Sequence, residues 1–233
     1  YVATGHYAKI EKGEDGKYIL RASEAVKKDQ SYVLYNFTQE QLAHTLMPLG
    51  GYNKDWVRQK AEELGLGVAH KPDSQEICFV EDDDYAKFIT DYSGYKPKEG
   101  DILDVNGNVI GRHRGLIYYT IGQRKGIGAY GRPMFVMKID AENNTITLGE
   151  KGMEFSNELT AYDVNFVSGE FPKENMLITA KVRYQAPPAA AMLCPQKDGT
   201  VKLMFPEPQR AVTPGQAVVF YDGDIVLGGG TVL

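Results

Sequence analysis

The chain has 233 residues, 42% of them hydrophobic and 24% charged, the composition of a globular protein with a sizeable core and room for one large domain or two or three small ones. No run approaches the roughly 18 apolar residues of a membrane span, and no charged-then-apolar leader pattern opens the chain. Two widely separated cysteines exclude a secreted disulfide framework and point to a reducing, cytoplasmic setting, while a formal net charge of −5 argues against a uniformly basic nucleic-acid binder and leaves room for local patches.

"YVATG" and "KYILRA" read as strand segments around the polar turn "EKGEDGK". Because Tyr1 falls inside a strand-like run, the chain is expected to continue a longer protein. "FTQEQLAHTLMPLGG" predicts a helix with Thr38 as N-cap, Gln41 three residues later and Pro48 past its end. "NKDWVRQKAEELGLG" predicts a second helix, capped by Asn53, closed by Gly65 and burying Val57, Ala61 and Leu64. "DDYAKFITDY" predicts a third, with acidic residues in its first turn. From residue 100 the texture turns to β. "DILDVNGNVIG" is a hairpin pattern around Asn106-Gly107, and "RPMFVMKIDAENNTITLGE" is another. Strand-like runs then follow in close succession to the end, the pattern of a small closed barrel or sandwich. The expected plan is an α/β portion (1–81), a small α+β module (82–152) and a C-terminal β-barrel (153–233).

Between Gly111 and Ile139 lie six cations, Arg112, Arg114, Arg124, Lys125, Arg132 and Lys138, and no carboxylate. Such a run suits phosphate neutralisation, with Tyr118, Tyr119 and Tyr130 available to stack on bases and glycines to admit close approach. A solvated loop of scattered charge is the plain alternative. Cys78, in "DSQEICFV", is either a small buried apolar residue or a nucleophile. Its neighbours Asp73, Glu76 and the acidic run 81–84 disfavour a resting thiolate. Cys194 ends the apolar run "AAAMLC" and reads as core. Gly5, His6 and Tyr7 follow a strand and form either a ligand loop or an ordinary structural turn. Lys28, in "KKDQSY", suits a phosphate contact or a polar turn. Four scattered histidines and two distant cysteines have no metal-ligand spacing, so no metal site is expected.

In this order, "ATGHYA", "KDQSYVLY", "KPDSQEICFV", "GLIYYTIGQRKGIG", "KVRY" and "PQRAVTPGQAVVFYDGDIVLGGG" resemble the tRNA-specific 2-thiouridylases, bacterial enzymes that replace the C2 oxygen of the anticodon wobble uridine with sulfur. The resemblance runs over nearly the whole chain. It implies the α/β remnant of a PP-loop nucleotide-binding and catalytic domain at 1–81, a tRNA-contacting α+β module at 82–152 and an antiparallel β-barrel at 153–233. The family's PP-loop and first catalytic cysteine have no counterpart here, so the chain alone is expected to be inactive. Carried over, the family makes Cys78 the sulfur carrier, holding a persulfide received from a sulfur-relay protein and later closing a disulfide with the absent cysteine. Gly5 contributes to an ATP site, with Mg2+, most of which lies upstream. His6, Lys28, Asp29, Gln30, Arg183, Tyr184 and Gln216 contact the tRNA anticodon stem-loop, joined by Arg124 and Lys125 of the basic stretch. Members of the family often carry a further Arg after "RY", where Gln185 and Ala186 stand here. The competing readings are a non-catalytic RNA-binding module and a tRNA methyltransferase; no glycine-rich cofactor loop follows a strand to favour the latter.

Overall fold

The computed structural model describes residues 1–24, 28–67, 69–70, 80 and 84–233. Its contacts divide the chain into two compact units, one of Tyr1–Lys71, Asn157–Gln209 and Thr213–Leu233, the other of Pro72–Ser156 with Arg210–Val212.

In the first unit, β1 (Val2–Ala3) lies parallel to β4 (Thr45–Leu46), while β2 (Ala8–Lys12) and β3 (Tyr18–Ala22) form an antiparallel hairpin. The partner of β3 across the polar turn is therefore "AKIEK" rather than "YVATG". The missed strand alternates apolar and charged residues in too short a run to stand out. Between them, α1 (Gln39–Ala43) starts on a capping box, Thr38 and Gln41 bonding each other's backbone. It stops sooner than the sequence suggests because the next residues join β1: the Val2 N–H donates to His44 O and that of Thr4 to Leu46 O. Asn53 caps α2 (Lys54–Glu63), accepting from the Trp56 N–H. Its expected stripe is thin. Val57 and Ala61 are half-buried and Leu64 is 64% exposed, since one valine and one alanine offer little area to bury.

The second unit opens on α3 (Tyr85–Ser93), capped by Asp84, whose carboxylate accepts from Lys87 N; no acidic residue sits inside its first turn. A four-stranded sheet follows, built from β5 (Gly100–Leu103), β6 (Val109–His113), β7 (Met134–Asp140) and β8 (Thr145–Glu150) in the order β6-β5-β8-β7. Asp104 bonds both Asn106 N and Asn108 N, and Gly107 supplies the left-handed residue that closes the first hairpin. Ile102, Ile127, Met134, Val136, Ile146 and Leu148 form the core. His113 is almost fully buried with both ring nitrogens used: Nδ1 accepts from the Gly115 N–H at 3.1 Å, which leaves Nε2–H to donate to Asn144 O at 3.0 Å.

The barrel comprises β9 (Phe155–Phe166), β10 (Met176–Lys181), β11 (Ala189–Pro195), β12 (Val201–Arg210), β13 (Ala217–Asp222) and β14 (Ile225–Val232). The order β13-β10-β11-β12-β9-β14 closes through an additional β13–β14 pairing, so these six strands leave no free edge among themselves. Its wall continues into the N-terminal hairpin through β14–β3, where Ile225 stands opposite Arg21 and Arg21 reaches Asp224 at 2.8 Å. Strand alternation sends Ala191 and Leu193 inward and leaves Met192 and Cys194 half-buried, so Cys194 lies outside the barrel core where the sequence had put it.

Candidate nucleic-acid interface

Segment 28–32 organises one face of the first unit. Asp29 spends its carboxylate locally: Oδ1 accepts from Ser23 N (3.0 Å) and Ser31 N (3.1 Å), and Oδ2 from the Ser31 hydroxyl (2.8 Å). Gln30 exchanges two bonds with Tyr7: its Oε1 accepts from Tyr7 N (3.0 Å), and its own N–H donates to Tyr7 O (2.9 Å). The neighbouring His6 has Nδ1 2.8 Å from the Thr4 hydroxyl. From the barrel side, the Tyr184 hydroxyl donates to Asp29 O (3.3 Å), and the Tyr32 hydroxyl donates to Ala217 O (2.6 Å), beside Gln216.

These links join the 28–32 segment to Tyr7 and, through Tyr184 and Ala217, to the barrel, with His6 adjoining Tyr7, Arg183 adjoining Tyr184 and Gln216 adjoining Ala217 along the chain. Lys28, Tyr184 and Gln216 are exposed and Arg183 half-buried. Glycine at position 5 is not demanded by packing, since a Cβ there would meet only Leu49 Cδ1 at 3.7 Å. Sequence reasoning missed Tyr32 and Tyr221, which help to hold this segment, and Lys181 beside them. Burial pushes the Tyr32 hydroxyl up to about 12 and keeps it a hydrogen-bond donor. Tyr221 is also raised by burial, and its hydroxyl lies 3.4 Å from that of Ser31. Lys181 Nζ sits 5.7 Å from the ring centres of both Tyr32 and Tyr184. Lys181 is the last residue of β10 and Arg183 follows two residues later, past the strand end.

The basic stretch belongs to the second unit, and its charges are less free than its sequence suggests. Arg112 pairs with Asp101 (3.3 Å), Arg132 with Glu150 (2.7 Å) and Lys138 with Asp140 (3.1 Å). Arg114 covers the Tyr118 ring at 4.0 Å. Tyr119 and Tyr130 pack against the core, which removes them as stacking platforms. Arg124 and Lys125 are exposed and make no ion pair among the described residues. The Gln123 side chain holds the loop beneath them, accepting from Thr120 N (2.8 Å) and donating to Lys125 O (2.8 Å) and Tyr118 O (3.3 Å). Beside Arg124, residues 127–134 line a polar cavity of about 350 Å3.

Cys78 lies outside the described residues. Among those described, no group of three His, Cys, Asp or Glu could hold a metal ion, and no helix is long and apolar enough to cross a membrane.

Residues 1–82 match a family model described as a tRNA methyl transferase HUP domain, 86–150 a tRNA methyl transferase PRC-barrel domain and 156–232 an aminomethyltransferase beta-barrel domain. Over 234 residues the chain is 57% identical to a tRNA-specific 2-thiouridylase of Acetivibrio thermocellus and 54% identical to one of Clostridioides difficile. A Clostridium botulinum protein of the same description is 52% identical over 233 residues. Each match takes in 100% of this chain but only 64% or 65% of the relative, so the chain spans somewhat less than two thirds of their length.

Proposed function

The chain belongs to the tRNA-specific 2-thiouridylase family, and from that membership we propose that it works as part of a tRNA sulfurtransferase. The reaction is the ATP-dependent exchange of the C2 oxygen of the wobble uridine for sulfur. The observation that carries this reading is identity of 52–57% over the whole chain to proteins described by that activity.

On this reading the face built on Lys28, Arg183, Tyr184 and Gln216 receives the anticodon stem-loop, and Arg124 with Lys125 adds phosphate contacts from the central module. Asp29 and Gln30 act as positioning residues, since their polar atoms already hold Ser23, Ser31 and Tyr7. Cys78 takes up sulfur when its thiolate attacks the outer sulfur of a relay protein's persulfide and the donor leaves as a thiolate. The uridine C2 oxygen is a poor leaving group. Adenylating it with ATP, with loss of pyrophosphate, makes AMP the leaving group. The terminal persulfide sulfur bonds to C2 as AMP departs. The thiol of the family's upstream cysteine then attacks Cys78 Sγ, breaking the S–S bond so that the sulfur stays on C2 and a disulfide closes on Cys78. Two easier steps replace one hard displacement. Taking the wobble base out of the anticodon stack costs a few kcal/mol, which the phosphate contacts offset. Gly5 lets ATP approach the backbone closely, and Mg2+ accompanies the nucleotide. The expected setting is the cytoplasm.

Methyl transfer to tRNA is the second reading, favoured by the descriptions of two matched family models. The two differ at Cys78. The 233-residue chain is exposed to a small-molecule persulfide donor, digested and weighed peptide by peptide. One added sulfur atom is expected on the peptide containing Cys78, none on that containing Cys194, and none at all in Cys78→Ser. Sulfur on the Cys194 peptide, or none on either, overturns the sulfur-carrier assignment.

A further inference from the structure

β5 and β6 run antiparallel with Gly100 opposite His113, so the residues entering β5 and those leaving β6 lie at one end of the sheet in the second unit. That end is closely packed. A Cβ on Gly100 would fall 2.1 Å from Asn144 O and 2.4 Å from His113 Nε2, and the Asn144 side chain donates to Glu99 O (2.9 Å). Gly115 is buried with φ +133°, and a Cβ there would fall 2.5 Å from Pro97 Cβ. Pro97 is therefore seated on Gly115, a contact that only glycine admits.

Three cations adjoin this contact along the chain: Lys96 and Lys98 on either side of Pro97, and Arg114 next to Gly115. All three are exposed, and none makes an ion pair among the described residues. Arg114 lies over the Tyr118 ring at 4.0 Å, a contact that orients the guanidinium without neutralising it. The flanking carboxylates are already taken, since Arg112 pairs with Asp101 at 3.3 Å and with Glu99 at 4.0 Å. Like charges gathered by packing repel one another, and an arriving polyanion relieves that repulsion. Tyr95, 42% exposed, immediately precedes Lys96.

We propose that Lys96, Lys98 and Arg114 bind backbone phosphates of the RNA, with Tyr95 beside them to stack on an unpaired base. The proposal rests on the reading that tRNA is the substrate, and it adds a contact on the second unit to that of Arg124 and Lys125. RNA is favoured over an acidic protein segment by two features. An exposed tyrosine next to lysines suits base stacking beside phosphate, and the oriented, planar guanidinium of Arg114 suits a phosphate's paired oxygens.

The test measures the affinity of the 233-residue chain for a whole tRNA transcript over a range of salt, with polyglutamate as the acidic-protein probe in parallel. Lys96→Gln, Lys98→Gln and Arg114→Gln should each weaken tRNA binding several-fold at low salt. Each should also lessen the slope of log K against log salt by about one, the loss of one neutralised phosphate. Tyr95→Leu, which removes a ring and no charge, should weaken binding and leave the slope unchanged. Lys202→Gln, paired with Glu158 on the barrel, should bind as wild type and shows that the effect is local. Undiminished binding and slope in the three charge variants, with wild type bound, would overturn the proposal. So would loss of polyglutamate binding with tRNA binding intact, which assigns the patch to an acidic protein. A wild-type chain that fails to bind tRNA at all removes the underlying reading along with the proposal.

Discussion

The residues expected to contact RNA differ in how their polar atoms are spent. The Asp29 carboxylate accepts three hydrogen bonds from Ser23 and Ser31, and the Lys28 side chain is exposed to solvent. Asp29→Ala should therefore cost about 2 kcal/mol of stability by orphaning two backbone donors, seen as a lower denaturation midpoint. Lys28→Ala should leave that midpoint in place and weaken binding of an anticodon stem-loop. If both variants unfold as wild type and bind equally poorly, Asp29 is a direct contact. The sequence singled out "KDQ", but not the local hydrogen bonds that occupy Asp29 and Gln30, because Ser23 and Tyr7 reach the segment only through the fold. Cys194 makes the same point. Its apolar run predicted burial, yet strand alternation leaves it half-buried beside the inward-facing Leu193. Cys194→Ala should thus cost less than about 1 kcal/mol, measured by denaturant unfolding.

At the scale of elements, short-range signals were the reliable ones. Thr38 with Gln41, and Asn53, capped their helices as written, because a cap needs only its own next three residues. The basic stretch was legible as charge but not as free charge. The carboxylates that pair with Arg112 and Arg132 come from neighbouring strands, and Lys138 is paired by Asp140, just past the end of the stretch. Beyond Arg114, what remains is Arg124 and Lys125 on a loop braced by Gln123. Arg124→Glu with Lys125→Glu should lower stem-loop affinity and flatten its salt dependence by about two phosphates' worth of slope. Arg132→Gln, already paired in the folded chain, should have a smaller effect. Filter binding at two or three salt concentrations decides it, and equal losses from both variants would mean that Glu150 releases Arg132 to the RNA.

For the molecule as a whole, the strand-rich second half announced a barrel, and six strands close one. The annexation of the N-terminal hairpin by that barrel was hidden, since Arg21 meets Ile225 and Asp224 across some two hundred residues of chain. Equally hidden was the return of Arg210–Val212, at the end of a barrel strand, to the second unit. Glu154 is the anchor there. Its carboxylate, nearly buried, accepts from Gly152 N (2.6 Å) and Arg210 Nε (3.3 Å), while its carbonyl accepts from Ala211 N (2.7 Å). Burial alone would raise this carboxyl, but the backbone bonds and Arg210 outweigh it and hold it below the ordinary glutamate value of 4.5. A carboxyl depressed on folding lends stability that is fully present above its unfolded pKa and is lost as pH falls through the lower folded value. Glu154→Gln should therefore lower the thermal midpoint of the second unit at pH 7, by an amount equivalent to about 2 kcal/mol. The gap from wild type should be full above about pH 5 and narrow as pH falls below 4.5 through the lower folded value. Calorimetry across that range is the measurement; a gap as wide at pH 3 as at pH 7 would show that the geometry of the side chain, and not its charge, secures Arg210.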